Sequence, residues 1–307
     1  MFEGLVWRGE LAALSAAWVW AIATLVYAQV GQRLSPLVLN FAKGCVALGL
    51  ISVTLAWQPQ SVALLGELVH HHRRELGWLC LSGALGIGIS DTFYFQTLNY
   101  LGARQTLLMG LLAAPFTTVM AAVVLQERLT AAQLLGMGLT IAGVGWVISE
   151  RTVDRVPIGA TRHYFLGIGF GLLTTATHAV GALLSRAVLS QGEINPLWTT
   201  QIRLFAGVGL TWLWLCLSPL PLSQQLQPLR SPKLSGTIAL TAFFSTYLAI
   251  WLQQIAFKLT AAGIVQALSA TSPLFVLPFA AAMGERVSLR AVLGAIVAIG
   301  GIGLLVR

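Results

Sequence analysis

Charge is what this chain has least of. Only 9% of its 307 residues are Asp, Glu, Lys or Arg, where a soluble domain carries about 25%, and so sparse a polar surface excludes a water-soluble protein. Acids are the scarcer sign, 10 against 18 Lys and Arg. The bases stand singly at segment ends instead of in clusters, which excludes a nucleic-acid surface and reads as anchoring at a membrane interface. Cysteine is scarce as well. Cys45, Cys80 and Cys216 each fall inside an apolar run, which excludes a disulfide framework or zinc-ligand spacing and marks them as small core residues. No His, Asp or Glu set has catalytic or metal-ligand spacing, so no enzyme, metal site or cofactor is expected. His70, His71 and His72 form an interfacial run beside Arg73 and Arg74, and Gly167, Gly169 and Gly171 lack the preceding strand of a phosphate loop. No small-residue cleavage site follows the first apolar run, so we read that run as a spanning helix and not as a signal peptide.

What the chain has instead is apolar length: 57% of residues are hydrophobic and the mean hydropathy is +0.81. A span takes roughly 20 apolar residues, so the short polar breaks divide the chain into about ten helices with no extramembrane domain. The chain also repeats itself. Leu101 to Val144 aligns without a gap on Leu259 to Ile302, bringing Pro115 onto Pro273, Glu127 and Arg128 onto Glu285 and Arg286, Gly136 onto Gly294, and Gly143 onto Gly301. Upstream, Pro196 matches Pro36 and Arg203 matches Lys43. A polar linker separates a first repeat, 1–155, from a second, 156–307. An odd number of spans per repeat sends the two copies across the membrane in opposite senses. The expected fold is an all-α integral membrane protein, about ten transmembrane helices in two inverted five-helix repeats.

The proline-bearing run, then Gln126, Glu127, Arg128, Leu129 and Thr130 with Gly136, echoed by Gly284, Glu285, Arg286, Val287, Ser288 and Gly294, resembles the EamA repeat of the drug/metabolite transporter superfamily. The resemblance covers nearly the whole chain. It implies a multi-pass transporter of a bacterial cytoplasmic (inner) membrane with both termini in the cytoplasm, a central cavity, and export of its substrate. Charge bias does not decide the orientation, because the basic residues of the first half favour a cytoplasmic N-terminus and those of the second half oppose it.

Charge inside a bilayer is costly, which singles out three residues. Lys43 and Arg203 each lie about 10 Å along the axis from the proline that opens their helix, at about 1.5 Å per residue. Asp91 is the only acid deep in an apolar run, at a depth close to that of Lys43. We expect Lys43 and Asp91 to pair across the cavity, with Asp91 available for proton coupling, and Arg203 to be left for a carboxylate or phosphate on the substrate. Trp20, Tyr94, Gln96, His178, Gln201, Trp251, Gln254 and Ser269, with Trp18, Phe93, Trp198, Tyr247, Gln253, Gln266, Thr271 and Ser272 near them, are the polar and aromatic groups expected to wall that cavity. Pro115 and Pro273 are expected as matched hinges, since each removes a helical hydrogen bond. The partners implied are the bilayer and a small-molecule substrate of amino-acid or organic-acid type, carried by a monomer. A lipophilic-cation exporter using Asp91 is the alternative within transport, and a non-transporting membrane protein of the same fold is the alternative outside it.

Overall fold

The computed structural model describes residues 3–58, 73–125, 130–148, 160–190, 194–260, 262–273, 275 and 288–305, and among them there is no strand. The histidine run His70 to His72, the turns at Glu127 and Arg128 and at Glu285 and Arg286, and the boundary between the repeats lie outside the described residues. Helix α1 (Glu3–Val30) is followed by α2 (Pro36–Ala56), α3 (Arg73–Gly83), a π-helical turn (Ala84–Ile89) and α4 (Ser90–Gly110). Then come α5 (Ala113–Leu125), α6 (Ala131–Ile148), α7 (Ala160–Leu189) and α8 (Pro196–Leu217). Two short turns of helix (Leu222–Gln225, Gln227–Arg230) lead to α9 (Pro232–Ala242), a second π-helical turn (Phe243–Leu248) and α10 (Ala249–Leu259). The described chain ends with α11 (Ala262–Ser269) and α12 (Leu289–Leu305). Six helical stretches are long and apolar enough to cross a membrane, and two shorter apolar helices accompany them.

The matched prolines do matched work. Ser35 accepts the Val38 amide at 3.3 Å and Asn195 accepts the Leu197 amide at 2.9 Å, so a capping side chain followed by a first-turn proline opens both α2 and α8. Gly102, at φ +77, divides α4 into two helices. That left-handed conformation is open to glycine at no steric cost, and it marks where the predicted third and fourth helices part.

The repeats are interleaved, not side by side. The most extensive helix contacts are α6 on α12, α4 on α7, α1 on α10 and α2 on α8, and each joins the first repeat to the second. Small residues let the backbones approach. A Cβ on Gly143 would stand 2.7 Å from the Gly294 carbonyl and one on Gly301 would stand 2.6 Å from the Gly136 carbonyl, while Thr140 donates to the Ala298 carbonyl at 3.2 Å. One expectation is corrected. Cys45, Cys80 and Cys216 are free and exposed on the outside of the bundle instead of lying in its core, because a lipid-facing position asks only for an apolar side chain and an apolar run does not say which of its faces is inward.

Candidate functional site

The site begins with the two π turns. A π turn widens the helix by one residue and leaves carbonyls without their usual partners. In the first repeat Asn40 of α2 meets that need, its amide nitrogen lying 2.8 Å from the Ile87 carbonyl, 3.1 Å from the Gly88 carbonyl and 2.9 Å from Thr92 Oγ1. In the second, the indole of Trp20 donates to the Ser245 carbonyl at 2.7 Å. Each π turn thus opens a helix beside a cavity and is held by a side chain from another helix.

Gly83 lies so close to the Arg203 backbone that a side chain there would collide with it, and Gly181 abuts Gly86 in the same way. Ser82 Oγ ties the layer together by donating to the Gly181 carbonyl at 2.6 Å. The tight contact of α3, α7 and α8 brings Arg203 and His178 to the cavity wall.

The cavity measures about 190 Å³. Of the residues expected to wall it, Trp20, Lys43, Asp91, Tyr94, His178, Arg203 and Ser269 do so, as do Gln253, Gln266 and Ser272. Lys43 Nζ lies 2.5 Å from Asp91 Oδ2, and the ammonium also sits 5.5 Å from the centre of the Phe95 ring. Lys43 is buried while Asp91 keeps 25% of its side chain accessible, so the carboxylate is the member of the pair that meets cavity solvent. Arg203 is 3% exposed, and its Nε and Nη1 have no hydrogen-bond partner.

Other expected residues lie off the cavity, among them Trp18, Phe93, Trp198, Tyr247 and Thr271. Gln201 donates to Ser52 Oγ at 2.8 Å; it is two residues from Arg203, and such neighbours do not share a helix face. Trp251 packs on Tyr247, 6.2 Å between ring centres, and Tyr247 bonds Thr54 at 2.9 Å. Gln254 is fully buried beside Gln253 but outside the lining, and Gln96 falls off the stripe of Ile87, Asp91 and Tyr94.

Sequence reasoning missed Thr24, Tyr27, Ser90, Thr174, Thr175, Ser245 and Thr246, all at the cavity. For two of them a signal existed: Trp20, Thr24 and Tyr27 recur at helical spacing. Thr24 bonds Tyr94 Oη at 2.5 Å and Tyr27 bonds Ser245 Oγ at 3.0 Å.

The helices that carry the expected hinges are irregular just before their prolines. In the first, the Leu111 and Leu112 amides bond back three residues, to Leu108 and Met109, and α5 resumes at Ala113 ahead of Pro115. In the second, α11 stops at Ser269, and Ser272 Oγ donates at 2.7 Å to the Ser269 carbonyl, which Pro273 cannot serve.

A multi-pass helical membrane protein whose two sequence-related halves enclose a charge-bearing hollow has the build of a membrane transporter. The profile of the EamA-like transporter family matches residues 7–149 and 165–307, and the chain belongs to that family. A 92-residue stretch is 29% identical to UDP-galactose transporter homolog 1 of Cryptococcus neoformans var. neoformans serotype D, and covers 30% of this chain and 22% of that protein. A solved crystal structure at 16% identity shares the fold, with a TM-score of 0.63 over 96% of this chain and 95% of the other.

Proposed function

We propose that this protein is a secondary transporter that exports a small polar metabolite bearing an acid group, by alternating access through about ten helices in two inverted repeats. The observation that carries the reading is Arg203, a buried guanidinium with two unpartnered nitrogens at the wall of the cavity that holds the Lys43–Asp91 pair. A carboxylate or phosphate supplies what it lacks. The cavity's 190 Å³ falls below the roughly 300–1,000 Å³ of sites for drug-sized ligands, which favours a few-carbon metabolite over the nucleotide sugar in the relative's name.

Inversion is supported by α6 and α12. Gly136 meets Gly301, Thr140 meets Ala298 and Gly143 meets Gly294, so residue numbers rise along one helix as they fall along the other. The counterparts of a contacting pair also meet, Gly136 with Gly301 and Gly294 with Gly143, as a two-fold relation requires. In this reading Pro115 and Pro273 are the hinges of two gates, Asp91 is the group that exchanges a proton, and both termini face the cytoplasm of a bacterial inner membrane.

The test is transport by the full chain reconstituted in liposomes, following labelled organic acids, amino acids and lipophilic cations with and without a pH gradient. A saturable flux of acids is expected, lost in Arg203→Gln. Cation flux alone, surviving that substitution, would replace this reading with one centred on Asp91.

A further inference from the structure

Resting on the transporter reading, we infer that the substrate is a small organic anion without an ammonium group, a hydroxy or oxo acid and not an amino acid. The first-repeat wall of the cavity is already satisfied: Trp20 donates to the Ser245 carbonyl at 2.7 Å, Thr24 bonds Tyr94 at 2.5 Å, and Lys43 holds Asp91 at 2.5 Å. The second-repeat wall is not. Among the described residues, the cavity-lining side chains with buried, partnerless atoms are Thr174 (Oγ1), Arg203 (Nε and Nη1), Gln253 (Nε2), Gln266 (Nε2) and Ser269 (Oγ), and all of them belong to that repeat.

Each of these groups can donate a hydrogen bond; the Thr174 and Ser269 hydroxyls and the Gln253 and Gln266 amides can also accept one, and Arg203 can only donate. Buried donors without acceptors are rare in folded proteins, and the Arg203 guanidinium in particular calls for an occupant with acceptor oxygens and a negative charge. An α-ammonium would find the opposite surroundings. Asp91 is the only acid among the described lining residues, and its charge is already balanced by Lys43 at Oδ2, while Lys43 and Arg203 together repel a cation. His178, the remaining titratable base at the cavity, offers it no negative charge in either protonation state. An ammonium would have to share one carboxylate with Lys43 and sit near two cations; the corresponding hydroxy acid meets neither obstacle.

The experiment compares pairs that differ only by hydroxyl against ammonium, lactate with alanine and malate with aspartate, by calorimetry on the full-length protein in nanodiscs. The hydroxy acid of at least one pair should bind at least about tenfold more tightly. Arg203→Gln should abolish that binding. Gln266→Leu should weaken it severalfold and yet raise the melting temperature of the empty protein, because the substitution removes a buried amide that has no partner. Equal or tighter binding of the amino acids overturns the inference, as does binding of neither member of either pair. So does a Gln266→Leu protein that melts lower or keeps its affinity. A protein that transports amino acids or cations and ignores hydroxy acids loses this inference and keeps the transporter reading.

Discussion

At the scale of single residues, the membrane makes charge informative and hydroxyls uninformative. Lys43, Asp91 and Arg203 stood out in the sequence because an ion in hydrocarbon needs a partner or a cavity, and all three line the cavity. Thr24, Ser90, Thr174 and Ser245 did not stand out, since a Ser or Thr hydroxyl can bond a carbonyl of its own helix in any surroundings. Ser245 does so, donating to the Thr241 carbonyl at 2.8 Å. The ion pair makes an asymmetric prediction. Asp91→Asn leaves the buried ammonium of Lys43 without a counter-charge and should cost about 3 kcal/mol. Lys43→Met leaves a carboxylate that is still 25% accessible and should cost less. The double variant Lys43→Met/Asp91→Asn should regain most of the stability, read as melting temperature in detergent, without regaining transport. Losses that simply add in the double variant would show that the pair is not the source.

At the scale of the helix, the prolines were legible in the sequence and the π turns were not. Pro36 and Pro196, Pro115 and Pro273 are visible as pairs because a missing N–H fixes where a helix can begin or must bend. A run such as Ala84 to Ile89 shows no comparable mark. Yet the extra residue in a π turn rotates everything after it by about 100°, so ordinary helical periodicity selects the wrong face downstream. Beyond the second π turn, Gln253 lines the cavity while Trp251 and Gln254, expected beside it, do not. Two predictions belong here. Pro273→Ala restores the amide that the Ser269 carbonyl lacks and releases Ser272, so it should stiffen the helix, slow flux and leave substrate affinity unchanged; unaltered flux would remove the hinge. Gly83→Val drives a side chain into the Arg203 backbone. It should destabilise by about 1–3 kcal/mol and weaken acid binding through the displaced guanidinium, whereas Gly77→Val, in the same helix with open space around it, should do neither.

At the scale of the whole molecule, the repeat was legible in the sequence and its interleaving was not. Aligned prolines and glycines establish that two halves are related, but they do not say whether the halves pack as neighbours or through one another. The pairing of α1 with α10 and of α4 with α7 answers that, because the cavity is then bounded by both halves at every level. Inversion carries a consequence that does not depend on the identity of the substrate. The turns that precede Pro36 and Pro196 are equivalent in the repeat, and in an inverted pair they lie on opposite sides of the membrane. Gln32 and Ser190 are exposed residues in those turns. Because Cys45, Cys80 and Cys216 are exposed and unpaired, replacing them with alanine should cost little and provide a cysteine-free background. In that background Gln32→Cys and Ser190→Cys should react with a membrane-impermeant maleimide from opposite faces of sealed vesicles. Labelling of both from the same face would place the two repeats parallel and remove the inverted-repeat reading, with its pair of equivalent gates on opposite sides of one cavity.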